Sequence, residues 1–110
     1  MTHVTIFINE DKECVGFQIE DHAGYADQGE DIVCAAISML VINTINSVEA
    51  FTEDEFSGMS DEESAMISFH LTQNPSKEAG LLLNSMILGL QNMVDDENYA
   101  KYIDLTFEEV

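Results

Sequence analysis

The sequence has very few basic residues: Lys and Arg together number 3, against 22 Asp and Glu, which gives a formal net charge of −19. Proteins bind nucleic acids and anionic lipids mainly through Lys and Arg, so this balance argues against both as direct partners. The same charge favours basic partners and speeds encounter with them. Because an acidic surface also serves solubility alone, the charge indicates a class of partner without establishing one.

Other scarcities define the general class. One proline and 45% hydrophobic residues are typical of a folded chain and argue against disorder. The 110 residues are enough for one domain, residues 1–110, with its own core. Polar residues interrupt the apolar runs before the roughly 20 residues that span a bilayer, and the N-terminus has no secretory signal pattern. These features predict a cytoplasmic protein without membrane contact.

Cysteine is scarce as well. Cys14 and Cys34 cannot build a disulfide framework and do not form a CxxC pair, so we expect two thiols in a reducing compartment. The two cysteines and three histidines are dispersed and lack the paired spacing of metal ligands. The chain also lacks the glycine motifs that cradle nucleotide phosphates. We therefore expect neither a metal nor a cofactor.

Hydrophobic periodicity predicts the fold. The predicted elements are strands at Val4–Asn9 and Glu13–Glu20, a helix from Asp31, strands around Glu55–Phe56 and at Ser64–Leu71, a helix after Asn74–Pro75, and a strand at Tyr99–Phe107. Asp31 and Asn74 are the predicted N-caps, and Asp21–Glu30 is a predicted loop. The order strand-strand-helix-strand-strand-helix-strand predicts one α+β domain with two helices and a mixed sheet of about five strands.

Cys34 is the candidate nucleophile. In a helix that begins after Asp31 it lies in the first turn, where unpaired amides and the helix dipole favour a thiolate. His22 opens the preceding loop, and an imidazole beside the thiol can hold a thiolate–imidazolium pair. Taken singly, a cysteine among apolar residues is more often a small buried core residue, and a histidine at a strand end is more often a solvated loop residue. His3 and His70 fall in predicted strands.

Four further residues are secondary candidates. Asp31 is either a helix cap alone or a group that also orients the imidazole. Ser38, one turn beyond Cys34, either lines a pocket or bonds back to a helix carbonyl. Gly24 and Gly29 bracket a polar stretch and suggest a loop that gates the site; fixed turn geometry is the alternative. Cys14 is interpreted as structural.

Two segments carry a family resemblance. His22–Ala26 (HAGYA) and Gly29–Ser38 (GEDIVCAAIS) closely resemble the ribosomal-processing cysteine protease family, Prp, and the likeness extends over essentially the whole chain. The resemblance implies Cys34 as nucleophile, His22 as base, a loop at Ala23–Glu30 that orders over substrate, and a homodimer. It also implies a substrate: the precursor of large-subunit ribosomal protein L-twenty-seven, whose N-terminal extension is cut off after an aromatic residue.

One departure and two alternatives accompany this interpretation. Asp21 stands where the family commonly has Gly before the histidine, which changes the local backbone constraint. A non-catalytic acidic chaperone for a basic ribosomal protein would need the charge of −19 but not the thiol. A thiol-dependent redox enzyme or transferase would use Cys34 without cutting a peptide. The charge itself complements a basic ribosomal protein and disfavours ribosomal RNA as the direct partner.

Overall fold

A computed structural model describes residues 1–21, 28–61 and 66–110. The strands are β1 (Thr2–Ile8), β2 (Cys14–Asp21), β3 (Phe56–Asp61), β4 (Met66–Leu71) and β5 (Ile103–Glu109), and the helices are α1 (Gln28–Phe51) and α2 (Lys77–Asp95). A 3-10 turn at Ala100–Tyr102 takes up the start of the predicted last strand, so β5 begins at Ile103. The predicted order of elements and the α+β class are confirmed.

The five strands form one mixed sheet in the order β3-β4-β2-β1-β5. Neighbouring strands are antiparallel except for β1 and β5, which run parallel. That parallel pair joins the first strand of the chain to the last, with all the other elements in the connection between them. The predicted mixed sheet is therefore confirmed.

Both helices cover the same face of the sheet. Val4 and Ile6 of β1 lie on that face, as do their β2 partners Ile19 and Phe17. The Phe17 ring stacks on Phe69 of β4 with ring centroids 5.1 Å apart. The helices fill this core with their buried apolar residues: Val33, Ile37, Val41 and Val48 of α1, and Leu83, Met86 and Leu90 of α2. Each such side chain contributes about 1.5–3 kcal/mol to the free energy of unfolding.

An irregularity in the β1–β2 ladder moves one cysteine into the core. Phe7 pairs with Gly16, but the next residue, Ile8, pairs with Cys14, so one residue of β2 is skipped. Such a bulge reverses the alternation of side chains beyond it. Cys14 therefore joins the buried apolar cluster, whereas strict alternation along β2 would put it on the same face as Gly16 and Gln18.

The predicted start of α1, with Asp31 as cap and Ile32 as the first helical residue, is four residues too late. The helix begins at Gln28, so Gln28–Glu30 are helical and Asp31 lies inside the first turn, where it is not an N-cap. Asp31 suits this position because an acidic group in the first turn interacts favourably with the helix dipole. Gly29 consequently belongs to the helix and not to the loop.

The predicted cap of α2 is also wrong. Ser76 is the N-cap, and its side-chain oxygen accepts a hydrogen bond from the Ala79 amide at 3.1 Å. Asn74 lies two residues earlier, and its side-chain oxygen accepts from Asn9 Nδ2 at 3.3 Å. Pro75 thus precedes the cap. Asp54 selects Ser76 by accepting hydrogen bonds from its backbone N–H at 2.8 Å and its hydroxyl at 2.5 Å.

The long apolar helix α1 has one property that the sequence pattern did not predict. Within the described residues, its segment Asp31–Phe51 is long and apolar enough to cross a membrane by length and composition, with a mean hydropathy of 1.6. The helix of a core passes the same test, and Val33, Ile37 and Val41 are fully buried against the sheet. The segment is not buried on more than one side, because only 28% of it is buried and Ile32, Met39, Ile42 and Phe51 are each at least 44% exposed. Packing against the sheet therefore accounts for one face of α1, and an apolar outer face remains.

Candidate active site

The candidate site lies where β2 ends and α1 begins. Glu20, near the end of β2, pairs with His3 on one side and with Met66 on the other. Asp21 is the last residue of β2, and α1 starts at Gln28. His22 and Gly24 fall between them, outside the described residues. The chain therefore leaves the sheet at this end, directly before His22, and returns as the helix that carries Cys34.

Cys34 is held in place by the core. It is the seventh residue of α1 and is half-buried, while its neighbour Val33 and the next core residue, Ile37, are fully buried. These two anchors fix the rotation of the helix and so the direction in which the Cys34 side chain leaves it. Because the dipole effect fades beyond the first turn, the corrected start of α1 leaves it little influence on this thiol.

Asp31 and Ser38 flank Cys34 along the helix. They stand three residues before it and four residues after it, and side chains at these spacings are neighbours on a helix surface. Asp31 is exposed and Ser38 is half-buried. The structure thus keeps all three on one side of α1, and the roles suggested for Asp31 and Ser38 remain predictions. The gating role of Gly24 and Gly29 remains a prediction too.

The other two histidines lie on the opposite face of the sheet. His3 pairs with Glu20 and His70 pairs with Gly16, and both pairs alternate with core pairs in their ladders. His3 Nδ1 lies 3.1 Å from Asp104 Oδ2, and the His70 ring centroid lies 5.3 Å from that of Phe7. Neither imidazole can reach Cys34 through the intervening sheet. In the described ranges, therefore, no histidine shares the helix-covered face.

The second cysteine has a different environment. Cys14 is 3% exposed, and its thiol donates a hydrogen bond to the Gly16 carbonyl oxygen at 3.4 Å. Burial raises the pKa of the Cys14 thiol above its ordinary value of 9.0, outweighing the effect of that hydrogen bond. A thiol in such surroundings stays protonated at neutral pH and is a poor nucleophile.

Sequence reasoning missed an apolar groove beside the site, which we call the α1–β3 groove. It encloses about 370 Å³ between α1 and β3, and its walls include Ile42, Ile45, Phe56 and Gly58. The two isoleucines follow Cys34 by eight and eleven residues and so project from the same side of the helix. A helix that is apolar nearly all round does not indicate which of its residues line a groove.

For residues 1–21, 28–61 and 66–110, no cluster of three potential metal ligands occurs.

Comparison with known proteins agrees with this architecture. The sequence profile of a family described as "Cysteine protease Prp" matches residues 1–104. The protein named "Ribosomal processing cysteine protease Prp" of Staphylococcus aureus (strain Mu50 / ATCC 700699) is 25% identical over 98% of this chain and 100% of its own length. The Bacillus subtilis (strain 168) protein of the same name is 28% identical over 87% of this chain and 89% of its own.

Solved structures of the Staphylococcus aureus protease superpose closely. Its complex with a substrate peptide gives a TM-score of 0.90 at 23% identity, covering 98% of this chain and 100% of that one. Its complex with a covalently linked product peptide gives a TM-score of 0.85 at 25% identity with the same coverage. A covalently linked product is the outcome expected when a protease uses a side-chain nucleophile.

Proposed function

The chain belongs to the Prp family of cysteine proteases, and from this premise we propose that it is the endopeptidase that removes the N-terminal extension of the precursor of large-subunit ribosomal protein L-twenty-seven. In this proposal Cys34 is the nucleophile and His22 is the general base and acid. The observation that carries it is the position of the histidines. His3 and His70 lie across the sheet from α1, whereas His22 directly follows the strand that leads to the Cys34 helix.

The proposed mechanism has two stages. Cys34 Sγ, as thiolate, attacks the scissile carbonyl carbon, and the tetrahedral intermediate collapses with breakage of the C–N bond. The His22 imidazolium gives its proton to the leaving amine, and the acyl group stays on sulfur as a thioester. Neutral His22 then takes a proton from water, which attacks the thioester carbonyl. The second tetrahedral intermediate collapses with breakage of the C–S bond, which restores the thiolate–imidazolium pair, and the carboxylic acid leaves and loses its remaining proton to solvent.

Asp31 and Ser38 have supporting roles in this proposal. Asp31 orients the His22 imidazole, and Ser38 lines the pocket that receives the scissile peptide. Their spacing of three and four residues from Cys34 supports both roles, because such side chains lie on adjacent turns of one helix face. Half-burial of Ser38 is consistent with a pocket wall, and exposure of Asp31 allows it to meet a group arriving from outside the helix.

The proposed substrate is a basic protein. The relatives are named ribosomal processing proteases, and the Staphylococcus aureus protease has been solved with a substrate peptide. Ribosomal proteins carry many Lys and Arg residues, and the net charge of −19 complements them. We further propose a homodimer, as the family resemblance implies, and a cytoplasmic location without direct contact to nucleic acid or membrane, as composition and charge suggest.

The test is a cleavage assay read by mass spectrometry. The precursor of L-twenty-seven from the same organism is incubated with the protein, and the masses of the products locate the cut. Cys34→Ala should abolish cleavage and leave the protein folded, whereas Cys14→Ser, the matched control, should keep most of the activity because Cys14 is a core thiol. Cleavage by Cys34→Ala would refute the mechanism. Tight binding without cleavage by the unmodified protein would instead identify an acidic chaperone.

A further inference from the structure

We propose that the α1–β3 groove, together with the outer edge of β3, binds an extended segment of the polypeptide substrate and takes one of its apolar side chains. The proposal rests on the proposed function and adds a second recognition element to it. β3 is the end strand of the sheet and, in the described part of the chain, pairs with β4 alone. An end strand offers backbone donors and acceptors to which an extended peptide can add as a further strand.

The β3–β4 ladder shows which backbone groups point outward. The Thr72 amide donates to the Glu55 carbonyl at 3.0 Å, so this pair is hydrogen-bonded at the start of the ladder. Hydrogen-bonded and non-hydrogen-bonded pairs alternate in an antiparallel ladder, and the register from Phe56 to Asp61 has no shift. The N–H and C=O groups of Phe56, Gly58 and Ser60 therefore point away from β4, toward the open edge.

The same three residues face the groove. Phe56, Gly58 and Ser60 pair with Leu71, Phe69 and Ile67, which lie on the helix-covered side of the sheet. Gly58 has no side chain, which leaves the floor of the groove open and lets a second backbone approach closely. Ile42 and Ile45 of α1 form the facing wall. A peptide on this edge would thus present alternate side chains to an apolar slot of about 370 Å³.

The groove is aligned with the candidate active site. Asp61, at the end of β3, pairs with Met66, and Met66 pairs with Glu20, which lies just before the end of β2. Along α1, Ile42 stands eight residues after Cys34, a rise of about 12 Å. An extended peptide covers this distance in roughly three to four residues. The groove therefore accepts a side chain at that separation from the scissile bond.

Charge identifies the occupant as part of a basic chain. Glu53 and Glu55 lead into β3 at its far end, and Asp61 closes it at the near end. Lys or Arg residues on either side of the apolar side chain would therefore meet acidic groups of the protease. A second copy of this acidic chain would bring like charges together at the same edge, which disfavours edge-to-edge pairing of two protease molecules.

Two variants test the proposal, each with a matched control. Ile42 is 44% exposed and lines the groove, whereas Met39, on the same helix, is 71% exposed and lies outside it. Ile42→Asn should lower kcat/KM about tenfold for a synthetic peptide that covers the extension and the first mature residues, because an apolar contact is lost. Met39→Asn should leave kcat/KM unchanged.

The second variant tests the edge of β3. Ser60→Pro removes an N–H that points outward and keeps the hydrogen bonds to β4, so it should lower kcat/KM as Ile42→Asn does. Ser60→Ala, its control, keeps the N–H and should not lower kcat/KM.

Further measurements separate this inference from the proposed function. The Cys34→Ala variant binds the peptide without cutting it, so its affinity for a fluorescently labelled copy of the same peptide does not depend on cleavage. The double variant Cys34→Ala, Ile42→Asn should bind this peptide about tenfold more weakly. The synthetic peptide is also shortened to three residues on the side of the scissile bond that reaches the groove. With this shortened peptide, Ile42→Asn and the unmodified protein should have the same kcat/KM. Circular dichroism confirms that each variant is folded. Equal kcat/KM and equal affinity for folded Ile42→Asn and Met39→Asn would overturn the groove, even if the peptide is cut. A change of oligomeric state in Ser60→Pro, measured by light scattering, would also overturn it by showing that a second copy occupies the edge.

Discussion

At the scale of single residues, the corrected start of α1 changes how the Cys34 thiol can be activated. A helix beginning after Asp31 would have placed Cys34 among the unpaired amides of the first turn. With the start at Gln28, Cys34 is the seventh helical residue and its neighbouring amides belong to the helix ladder. In the proposed mechanism a nearby base therefore supplies most of the activation, so removing His22 should have a large effect on the reactivity of the Cys34 thiol.

We predict that His22→Ala slows the alkylation of Cys34 by iodoacetamide on the order of tenfold near neutral pH, because the thiolate fraction falls toward that of an ordinary cysteine. The rate is measured by intact mass in a Cys14→Ser background between about pH 6 and 8, where imidazole titrates. His70→Ala is the control, since His70 lies on the other face of the sheet. A rate that is the same with and without His22 over that range would exclude it as the activating base.

At the scale of elements, Asp54 and Ser76 connect the end of α1 to the start of α2. Ser76 caps α2, and Asp54 holds the cap through two hydrogen bonds. These bonds lower the pKa of Asp54 below its ordinary value of 3.8, and the bond from the Ser76 hydroxyl has the largest effect. The folded protein thus binds this proton less tightly than the unfolded chain does. The stabilisation is present above pH 3.8 and is lost as the pH falls through the lower folded pKa.

We predict that Ser76→Ala lowers the free energy of unfolding by about 1 kcal/mol at neutral pH, because it removes the cap. Asp54→Ala should also destabilise, and the double variant should lose less than the sum, since both changes break the same contacts. Urea unfolding followed by circular dichroism measures all three. The control is Ser85→Ala, at an exposed position of α2, which should change stability by no more than about 0.5 kcal/mol. Equal effects at Ser76 and Ser85 would show that the cap contributes nothing.

Two glycines provide a sharper test of the packing between strands. A Cβ at Gly16 would lie 2.5 Å from the Phe69 carbonyl oxygen and 2.9 Å from His70 Nδ1, whereas a Cβ at Gly80 of α2 would meet nothing within 4 Å. We predict that Gly16→Ala lowers the free energy of unfolding by about 1–3 kcal/mol, because backbone of β4 has to move. Gly80→Ala should raise it by about 0.5–1 kcal/mol, since alanine favours a helix. Opposite shifts in the midpoint of urea unfolding are the expected signature, and shifts of the same sign would refute the account.

These elements show what local sequence can determine. The periodicity of apolar residues predicted both helices and four of the strands, because each of these elements needs one apolar face toward a common core. The remaining strand, β3, was placed only around Glu55–Phe56 because five of its six residues are exposed and carry little such pattern. The ends failed where a distant residue decides them. Ser76 replaced Asn74 as cap because Asp54, 22 residues away in sequence, binds it. The bulge that turns Cys14 into the core depends on pairing with β1 and leaves no local signal.

The site divides in the same way. Cys34 and His22 are the proposed nucleophile and base because two short segments resemble a known family, while spacing alone left each of them ambiguous. The α1–β3 groove was not predicted, because its walls come from a helix and an end strand that meet only in the folded sheet. In the sequence, nothing distinguishes Ile42 and Ile45 from the other apolar residues of α1. Recognition surfaces formed by non-local pairing are therefore the part of the site that a sequence pattern does not reveal.

At the scale of the whole molecule, the negative charge is hardly compensated within the fold. Lys12 lies 3.4 Å from Glu109, but both side chains are more than half exposed, so the pair contributes little. Lys101 lies 5.0 Å from the centre of the Tyr102 ring. With only 3 basic residues against 22 acidic ones, the protein presents a broad negative potential to its surroundings. Such a potential attracts a basic substrate before any specific contact forms.

We therefore predict that salt slows the capture of the precursor protein more than it slows the chemical step. Charges attract one another over roughly 8–10 Å at physiological ionic strength, and added salt shortens this range. Raising salt from about 50 to 500 mM should lower kcat/KM for the basic precursor by about tenfold or more, with kcat little changed, because the electrostatic attraction acts on the rate of encounter.

The controls are a short uncharged peptide containing the same scissile bond and the alkylation of Cys34 by neutral iodoacetamide, neither of which is steered by charge. If kcat/KM for the precursor is as flat with salt as for the uncharged peptide, the acidic surface serves solubility and does not guide the substrate. If both substrates lose activity in parallel, salt acts on the catalytic groups themselves.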